Sequence, residues 1–269
     1  MKESLARFDW YEATFLTLEP ALVGVQIADA VGGEITTGRG RYGYAECAAV
    51  EKDGRVLARV FTRSRMPGEV HVVVTGESCD QVVPLVRGFW PDHRVSRVDV
   101  SLDWVTSFEE LDVLVEAFAE DRGMNHSLFT SSDGGATRYI GSKKSEMFAR
   151  VYKKSEELRS KYPNQVEEIP DGIVRAEIVL RPKSSRKALV ASLEPEQVYG
   201  MSKWGQAFAL QFAGIDSERI KVGFKEVSDW QRICDTLFHQ YAPSVQRQVE
   251  QVGFDQVQTD ALEALGLVR

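Results

Sequence analysis

The stretch Arg97-Val-Asp-Val-Ser-Leu-Asp103 decides the fold of this chain, because its polar and apolar residues alternate with a period of two. That period is typical of a β-strand with one buried face and one polar face. Two later segments alternate in the same way, Arg150-Val-Tyr-Lys-Lys154 and Ile173-Val-Arg-Ala-Glu-Ile-Val-Leu180. If the three strands are neighbours, their polar faces form one patch of carboxylates, cations and a tyrosine.

Elsewhere the patterns predict an α+β fold, with a mostly antiparallel sheet flanked by helices. An Asp53-Gly54 pair between two apolar runs predicts a β-hairpin over residues 48–60. Ser107 and Glu110 have the spacing of a capping box, which predicts an amphipathic helix directly after the acidic strand.

The character of the chain changes beyond Pro182, where helical periodicity dominates. Apolar residues recur there at helical spacing, for example Trp230, Ile233, Leu237 and Tyr241. We therefore predict two parts, a catalytic domain over residues 1–185 and a helical C-terminal region over residues 186–269.

The composition is that of an ordinary globular protein, with 43% hydrophobic and 27% charged residues in a chain of 269. No apolar run approaches the roughly 20 residues that span a bilayer, and the first residues lack the apolar core of a secretory signal. Cys47, Cys79 and Cys234 are odd in number and far apart, as expected for reduced thiols. These observations predict a cytoplasmic protein without a membrane partner.

The net charge of −7 argues mildly against nucleic acid as a partner, but the charge is unevenly distributed. Between Arg138 and Lys187, 13 Lys and Arg stand against 7 Asp and Glu, which gives this segment +6 and leaves −13 for the remainder. Such a segment can hold phosphates while the rest keeps the protein soluble. On charge alone, a solvated cationic surface is the favoured interpretation.

The carboxylates of the predicted strands suggest a metal site. Asp99 and Asp103 share a face but lie roughly 13 Å apart along an ideal strand. One of them can therefore bind an ion while the other orients Arg150 or a water ligand, and Glu177 supplies a third carboxylate. Oxygen ligands of this kind suit Mg²⁺ or Mn²⁺, either of which would polarise a scissile phosphate. Exposed or salt-bridged strand residues are the alternative interpretation.

Tyr152 lies among cations, Arg150, Lys153 and Lys154. Cations or a metal ion stabilise a phenolate, which is a better nucleophile than a protonated tyrosine. Attack on phosphorus would give a phosphotyrosyl bond and a free 3′-hydroxyl. A half-buried strand tyrosine is the commoner interpretation of such a residue.

The turn Gly141-Ser-Lys-Lys-Ser145 can hold phosphates, although it lacks the spacing of a Walker loop.

Other catalytic chemistries have no local signature in the sequence. The four histidines are scattered, with no His-x-His pair and no His-Glu-x-x-His motif. The Gly-x-Ser-x-Gly motif of many Ser/His/Asp enzymes is absent as well.

In their order and spacing, these motifs resemble the replication initiation factor family. Its members include rolling-circle initiators of staphylococcal-type plasmids, relaxases of integrative conjugative elements and replication proteins of filamentous phages. The resemblance covers residues 8–190 and rests on Arg97–Asp103, on Tyr139-Ile-Gly-Ser-Lys-Lys-Ser145 with Arg150–Lys154, and on Arg175–Leu180. Two earlier segments, Phe8-Asp-Trp10 and Val72–Asp80, also resemble family features.

The resemblance implies a strand-specific DNA nicking and joining enzyme that starts rolling-circle replication of a plasmid, phage or integrative element. By position in the motifs, it implies Tyr152 as the nucleophile, and Asp99, Asp103 and Glu177 as ligands of Mg²⁺ or Mn²⁺. Origin DNA, single-stranded at the nick, is the implied partner, with a host helicase as a second partner and a homodimer left open. The cations implied to contact DNA surround the tyrosine: Arg97, Lys143, Lys144, Arg150, Lys153, Lys154 and Arg175.

Two features depart from the pattern of the family. Lys153 stands where an acidic or amide residue is expected, and a net charge of −7 is unusual for an initiator. Tyr139 lies beside the basic turn and is the rival nucleophile to Tyr152. Two other functions stay open. One is a non-cleaving DNA-binding regulator or recruiter with the same fold, and the other is a metal-dependent nuclease that uses water.

Overall fold

A computed structural model of the chain describes residues 6–220 and 244–264. The strands within these residues are β1 Arg7–Leu16, β2 Glu34–Arg39, β3 Glu46–Lys52, β4 Arg55–Thr62, β5 Glu69–Thr75, β6 Arg94–Val105, β7 His126–Thr130, β8 Ala136–Ile140, β9 Met147–Lys153 and β10 Ile173–Leu180. They form one ten-stranded sheet in the order β2-β3-β4-β5-β1-β6-β10-β9-β8-β7. Every neighbouring pair is antiparallel.

Helices connect the strands and follow the last of them. They are α1 Val23–Val31, α2 Ser78–Phe89, α3 Phe108–Asp121, α4 Lys154–Lys161, α5 Arg186–Ala191, α6 Pro195–Val198 and α7 Lys203–Ala213. A further helix spans Phe254–Ala264. No helix among the described residues is both long enough and apolar enough to cross a membrane. The antiparallel sheet with flanking helices confirms the predicted α+β fold.

The three strands that carry the motifs are neighbours, because β10 pairs with β6 on one side and with β9 on the other. Arg175 lies opposite both Asp103 and Tyr152, and Glu177 lies opposite both Ser101 and Arg150. Residues directly opposite each other in neighbouring strands point to the same face. The predicted polar patch therefore exists, on one face of the middle of the sheet.

The opposite face of the sheet is apolar and packs against helices. Arg138 on β8 points to this face and makes two 2.7 Å hydrogen bonds to Asp112, which fixes α3 there. Phe118 of α3 packs edge-on against Phe208 of α7, with ring centroids 5.6 Å apart. The helix layer that contains α3 and α7 thus covers one side of the sheet, and the polar patch lies on the other.

Local sequence signals account for several of the connections. Asp53 and Gly54 adopt positive φ values of 51° and 73° between β3 and β4, as a type I′ hairpin turn requires. Ser107 caps α3 by accepting a 3.3 Å hydrogen bond from the backbone N–H of Glu110. Both sequence predictions are confirmed.

Two compact units divide the described residues. Residues 6–64 and 68–220 form one unit, which contains the whole sheet and helices α1 to α7, whereas residues 65–67 and 244–264 belong to the other. The functional division at residue 185 stays a prediction. The helical periodicity of Trp230, Ile233, Leu237 and Tyr241 falls outside the described residues.

Candidate active site

Two cross-strand rows of side chains lie next to each other on the polar face. The first row runs from the β7 edge towards the middle of the sheet through Phe129, Thr137, Tyr152, Arg175 and Asp103. The second row follows the same five strands through Ser127, Tyr139, Arg150, Glu177 and Ser101. The rows bring the rival tyrosines, two of the predicted cations and two of the three predicted metal ligands onto one continuous surface.

Tyr152 is buried against Glu177. Its side chain is 8% exposed, and its hydroxyl donates a 2.5 Å hydrogen bond to Glu177 Oε1. Burial, together with the negative charge of Glu177, raises the pKa of Tyr152 well above its ordinary value of 10.0. The resting tyrosine is therefore protonated, and a carboxylate that can accept its proton is already in contact.

Glu177 is fully buried, and its carboxylate accepts hydrogen bonds from two side chains. Besides the Tyr152 hydroxyl, it accepts a 2.6 Å hydrogen bond from Arg150 Nε at Oε2. Burial raises the pKa of Glu177 above its ordinary value, whereas the Arg150 guanidinium opposes that rise. The carboxylate is thus more basic than an exposed glutamate, and an arginine compensates its charge.

Asp99 lies in the same surface but is bound by a different arginine. Arg97 donates to both of its oxygens, at 2.8 Å and 2.6 Å, and Arg150 Nη2 lies 3.8 Å from Oδ2. Asp99 is 1% exposed, and burial raises its pKa against the opposing effect of Arg97. Arg150 lies within 4 Å of both Asp99 and Glu177, and it links the two carboxylates.

Asp103 belongs to a separate ion-pair network. Arg175 donates to its two oxygens at 2.6 Å and 2.7 Å, and Arg7 donates a third hydrogen bond at 3.1 Å. Arg175 also donates to Asp9 at 2.7 Å. Asp9 was not among the predicted site residues, and it is the extra residue where a β-bulge shifts the register of β1 between Phe8 and Trp10.

We expect Asp103→Ala to lower the free energy of unfolding by about 1–3 kcal/mol, because it leaves the 95%-buried Arg175 side chain with Asp9 as its remaining carboxylate partner. Glu46→Ala is the matched control, since its pair with Arg63 joins two side chains more than half exposed. Urea unfolding of both variants measures the difference. Equal effects would contradict a structural role for Asp103.

The three predicted metal ligands share the polar face, but each carboxylate is bound by its own arginine. Among the described residues, one group of three potential ligands has all its ligand atoms within 4.8 Å of one another, and it consists of Glu116, Glu120 and His126. Arg138 donates to Glu116 at 2.8 Å and lies 3.1 Å from His126 Nδ1. Because a guanidinium already occupies this group, we assign no ion to it. The i, i+4 spacing of Glu116 and Glu120 places both carboxylates on one face of α3.

The predicted DNA-binding lysines differ in their exposure and in whether a carboxylate binds them. Lys143 and Lys144 are exposed in the turn that follows β8, and Lys143 Nζ lies 3.4 Å from the centre of the Tyr139 ring. Lys153 forms a 2.8 Å ion pair with Glu109. Lys154 bonds to Glu157 and lies 5.7 Å from the centre of the Tyr152 ring. The turn therefore offers the more accessible charges for a phosphate backbone.

The replication initiation factor family matches residues 94–252, which include β6, β9 and β10. The chain belongs to this family, and the resemblance predicted from the motifs is confirmed. Its fold is similar to that of the rolling circle replication initiator protein from Geobacillus stearothermophilus, at 20% sequence identity and a TM-score of 0.51. That likeness covers 72% of this chain and 82% of the other. No curated protein matches the chain.

Proposed function

We propose that this replication initiation factor nicks and rejoins one strand of origin DNA, with Tyr152 as the nucleophile, to start rolling-circle replication of a plasmid, phage or integrative element. The observation that carries the proposal is the hydrogen bond from the Tyr152 hydroxyl to the buried Glu177 carboxylate. A nucleophile within hydrogen-bonding distance of a base, which an arginine in turn orients, is the arrangement that covalent catalysis needs. Family membership supports replication initiation independently of this geometry.

The reaction that fits this arrangement is a transesterification. Tyr152 Oη forms a bond to the scissile phosphorus while its proton passes to Glu177. The bond from phosphorus to the 3′-oxygen breaks, and that oxygen leaves with the electron pair and takes a proton to become a free 3′-hydroxyl. One phosphodiester replaces another, so the reverse attack by a 3′-hydroxyl rejoins the strand.

Arg150 has two roles in this proposal. It holds the Glu177 carboxylate through Nε, and its guanidinium lies 5.6 Å from the centre of the Tyr152 ring. A phosphate that approaches Tyr152 would meet the same guanidinium, whose donors match phosphate oxygens. Arg150 would thus offset negative charge in the transition state.

The residues around Glu177 fit a divalent ion in their chemistry. The buried Ser101 hydroxyl lies opposite Glu177 in the sheet and has no hydrogen-bond partner in the part of the chain that the structure describes. Together with Glu177 and one of the two aspartates, Asp99 or Asp103, it offers the oxygen ligands that Mg²⁺ or Mn²⁺ prefers. The arginine that binds each of these carboxylates would have to move aside for the ion. When bound, such an ion supplies Lewis-acid stabilisation of the phosphoryl oxygens.

The remaining parts of the proposal rest on the resemblance. We assign the nicking chemistry to residues 1–185, and we keep a host helicase and a homodimer as proposed partners. We assign DNA contacts to the predicted cations: Arg97, Lys143, Lys144, Arg150, Lys153, Lys154 and Arg175.

The direct test of this function is capture of the covalent intermediate. The protein is incubated with Mg²⁺, Mn²⁺ or EDTA and a library of single-stranded DNA, and adducts are isolated under denaturing conditions and mapped by peptide sequencing. We expect a metal-dependent adduct on Tyr152 and a common DNA sequence at the nick. Nicks without an adduct would favour a nuclease that uses water.

A non-cleaving DNA-binding regulator is the second candidate function, and one observation favours it. Arginines bind all three predicted metal ligands, and Tyr152 is only 8% exposed. This alternative would be supported if the protein binds a specific DNA sequence but forms neither a nick nor an adduct with any metal ion.

Phosphate contacts in the basic turn predict a steep salt dependence of DNA binding. If about four cations neutralise phosphates of a single strand, log K falls against log salt with a slope near −3, at roughly −0.7 per contact. Lys143→Ala combined with Lys144→Ala should flatten that slope by about 1.4 units. Arg39→Ala with Arg41→Ala is the control, since it removes equal charge near β2, at the opposite edge of the sheet. An unchanged slope in the lysine variant would place the DNA elsewhere.

A further inference from the structure

An open cleft of about 510 Å³ borders Tyr152. Its floor is the polar face of β7, β8 and β9, where Phe129, Tyr139 and Arg150 line it beside Tyr152. Its wall is α4, which contributes Glu157 among others. The cleft is large enough for a nucleoside, and it opens at the residue proposed to attack the DNA.

The most exposed aromatic side chain of this cleft is Phe129, on the edge strand β7. It is 63% exposed, although a phenylalanine ring gains from burial against another flat ring. Phe129 lies in the same cross-strand row as Tyr152 and two strands away, which is roughly 10 Å at the usual strand spacing. The sugar and base of one nucleotide can span that distance.

Apart from the scissile phosphate, which Arg150 would contact, the cleft does not select an anion, because the charges that line it balance. Three cations and three carboxylates line it: Arg150, Lys153, Lys161, Asp133, Glu156 and Glu157. A neutral ring therefore suits the cleft better than an anion does. The exposed lysines of the neighbouring turn, Lys143 and Lys144, offer phosphates an uncompensated alternative.

We propose that this cleft binds the unstacked base of a nucleotide next to the scissile phosphate, with the Phe129 ring stacked on that base. The inference deepens the proposed function, because it places the base by reference to Tyr152 as the nucleophile. A base inside a duplex is stacked on both sides and cannot enter such a cleft. The cleft therefore accepts only a single-stranded or melted site, and it fixes the phosphate relative to Tyr152.

The first experiment measures binding of a fluorescently labelled random single-stranded 20-mer. We expect Phe129→Ala to weaken binding roughly 10-fold, within the range for one base stacked on an aromatic ring, and Phe129→Trp to preserve it. The salt slope should not change, since no phosphate contact is lost. Leu128→Ala is the control, because Leu128 is 45% exposed on the same strand but points to the opposite face. Equal affinities for Phe129→Ala and Leu128→Ala would overturn the proposal.

The second experiment uses the DNA sequence at the mapped nick, with each nucleotide near the scissile phosphate replaced in turn by an abasic site. In the natural protein, one such replacement should slow adduct formation roughly 10-fold, whereas in Phe129→Ala it should add no further loss. Additive losses would mean that the missing base does not contact Phe129, and would overturn the proposal.

The two experiments separate this inference from the proposed function. The binding measurement needs no cleavage, so a protein that forms no adduct on Tyr152 still reveals whether Phe129 stacks on a base. Conversely, the natural protein could form an adduct on Tyr152 while Phe129→Ala binds DNA with unchanged affinity. In that case the nicking proposal would stand, and the proposal that the cleft binds a base would be wrong.

Discussion

Replacement of Tyr152 with phenylalanine is expected to lower the yield of covalent DNA adduct by at least about 10⁴-fold, because the attacking oxygen is lost. The ring keeps its packing, so affinity for single-stranded DNA should stay within about twofold, a difference of less than about 0.5 kcal/mol. Adduct yield on denaturing gels and fluorescence anisotropy measure the two quantities. Stability should fall modestly, by about 1–3 kcal/mol, since buried Glu177 loses one of its donors.

Tyr139→Phe is the matched control for this prediction. Tyr139 lies on the neighbouring strand, opposite Arg150, and it packs against Lys143. Its loss should leave adduct formation near the natural level. An adduct that survives in Tyr152→Phe and maps to Tyr139 would reverse the assignment of the nucleophile.

Glu177→Gln is expected to slow nicking by about 10²–10⁴-fold, the usual contribution of a general base. Glutamine keeps the shape of the side chain but cannot take the Tyr152 proton. Single-turnover rates of adduct formation measure the effect. Glu12→Gln serves as the control, because Glu12 is a partly buried carboxylate that accepts hydrogen bonds from Trp10 and Ser96 and does not contact Tyr152.

The pH dependence of nicking provides a separate readout of the same residue. Proton transfer from Tyr152 needs ionised Glu177, and burial raises the pKa of Glu177 despite Arg150. The rate should therefore fall with decreasing pH as Glu177 takes up a proton. In Glu177→Gln this acidic limb should disappear. If the nicking rate of the variant falls over the same acidic pH range, the titrating group is not Glu177.

Alternation of polar and apolar residues was enough to predict the central part of the sheet. It identified β6, β9 and β10 and the residues that share their polar face, because the side-chain period of a strand is fixed at two. Once β9 and β10 are neighbours, the same alternation places Arg175 and Glu177 on the same face of the sheet as Tyr152. The Asp53-Gly54 turn was predictable for the same local reason, since the turn geometry demands those residues.

Features that depend on tertiary contacts were not predictable. β2 falls in a glycine-rich stretch whose composition is typical of turns, and it forms because β3 offers an edge for pairing. The spacing of Asp99 and Asp103 gave no indication that each would bind a different arginine. Asp9 is 166 residues from Arg175 in the chain, and only the bulge in β1 brings them together. We made no prediction for β7, the five-residue strand that carries Phe129.

The cross-strand rows make the candidate site an assembly that exists only in the finished sheet. Tyr152, Glu177 and Asp99 come from three strands, and the bond from Arg175 to Asp9 joins them to the first strand of the chain. A slip of β9 by one residue would turn Tyr152 towards the helix layer and put Val151 in its place. A truncated or half-folded chain therefore carries the tyrosine without its proton acceptor. On the proposed function, cleavage of DNA would therefore wait until β6, β9 and β10 have paired in register.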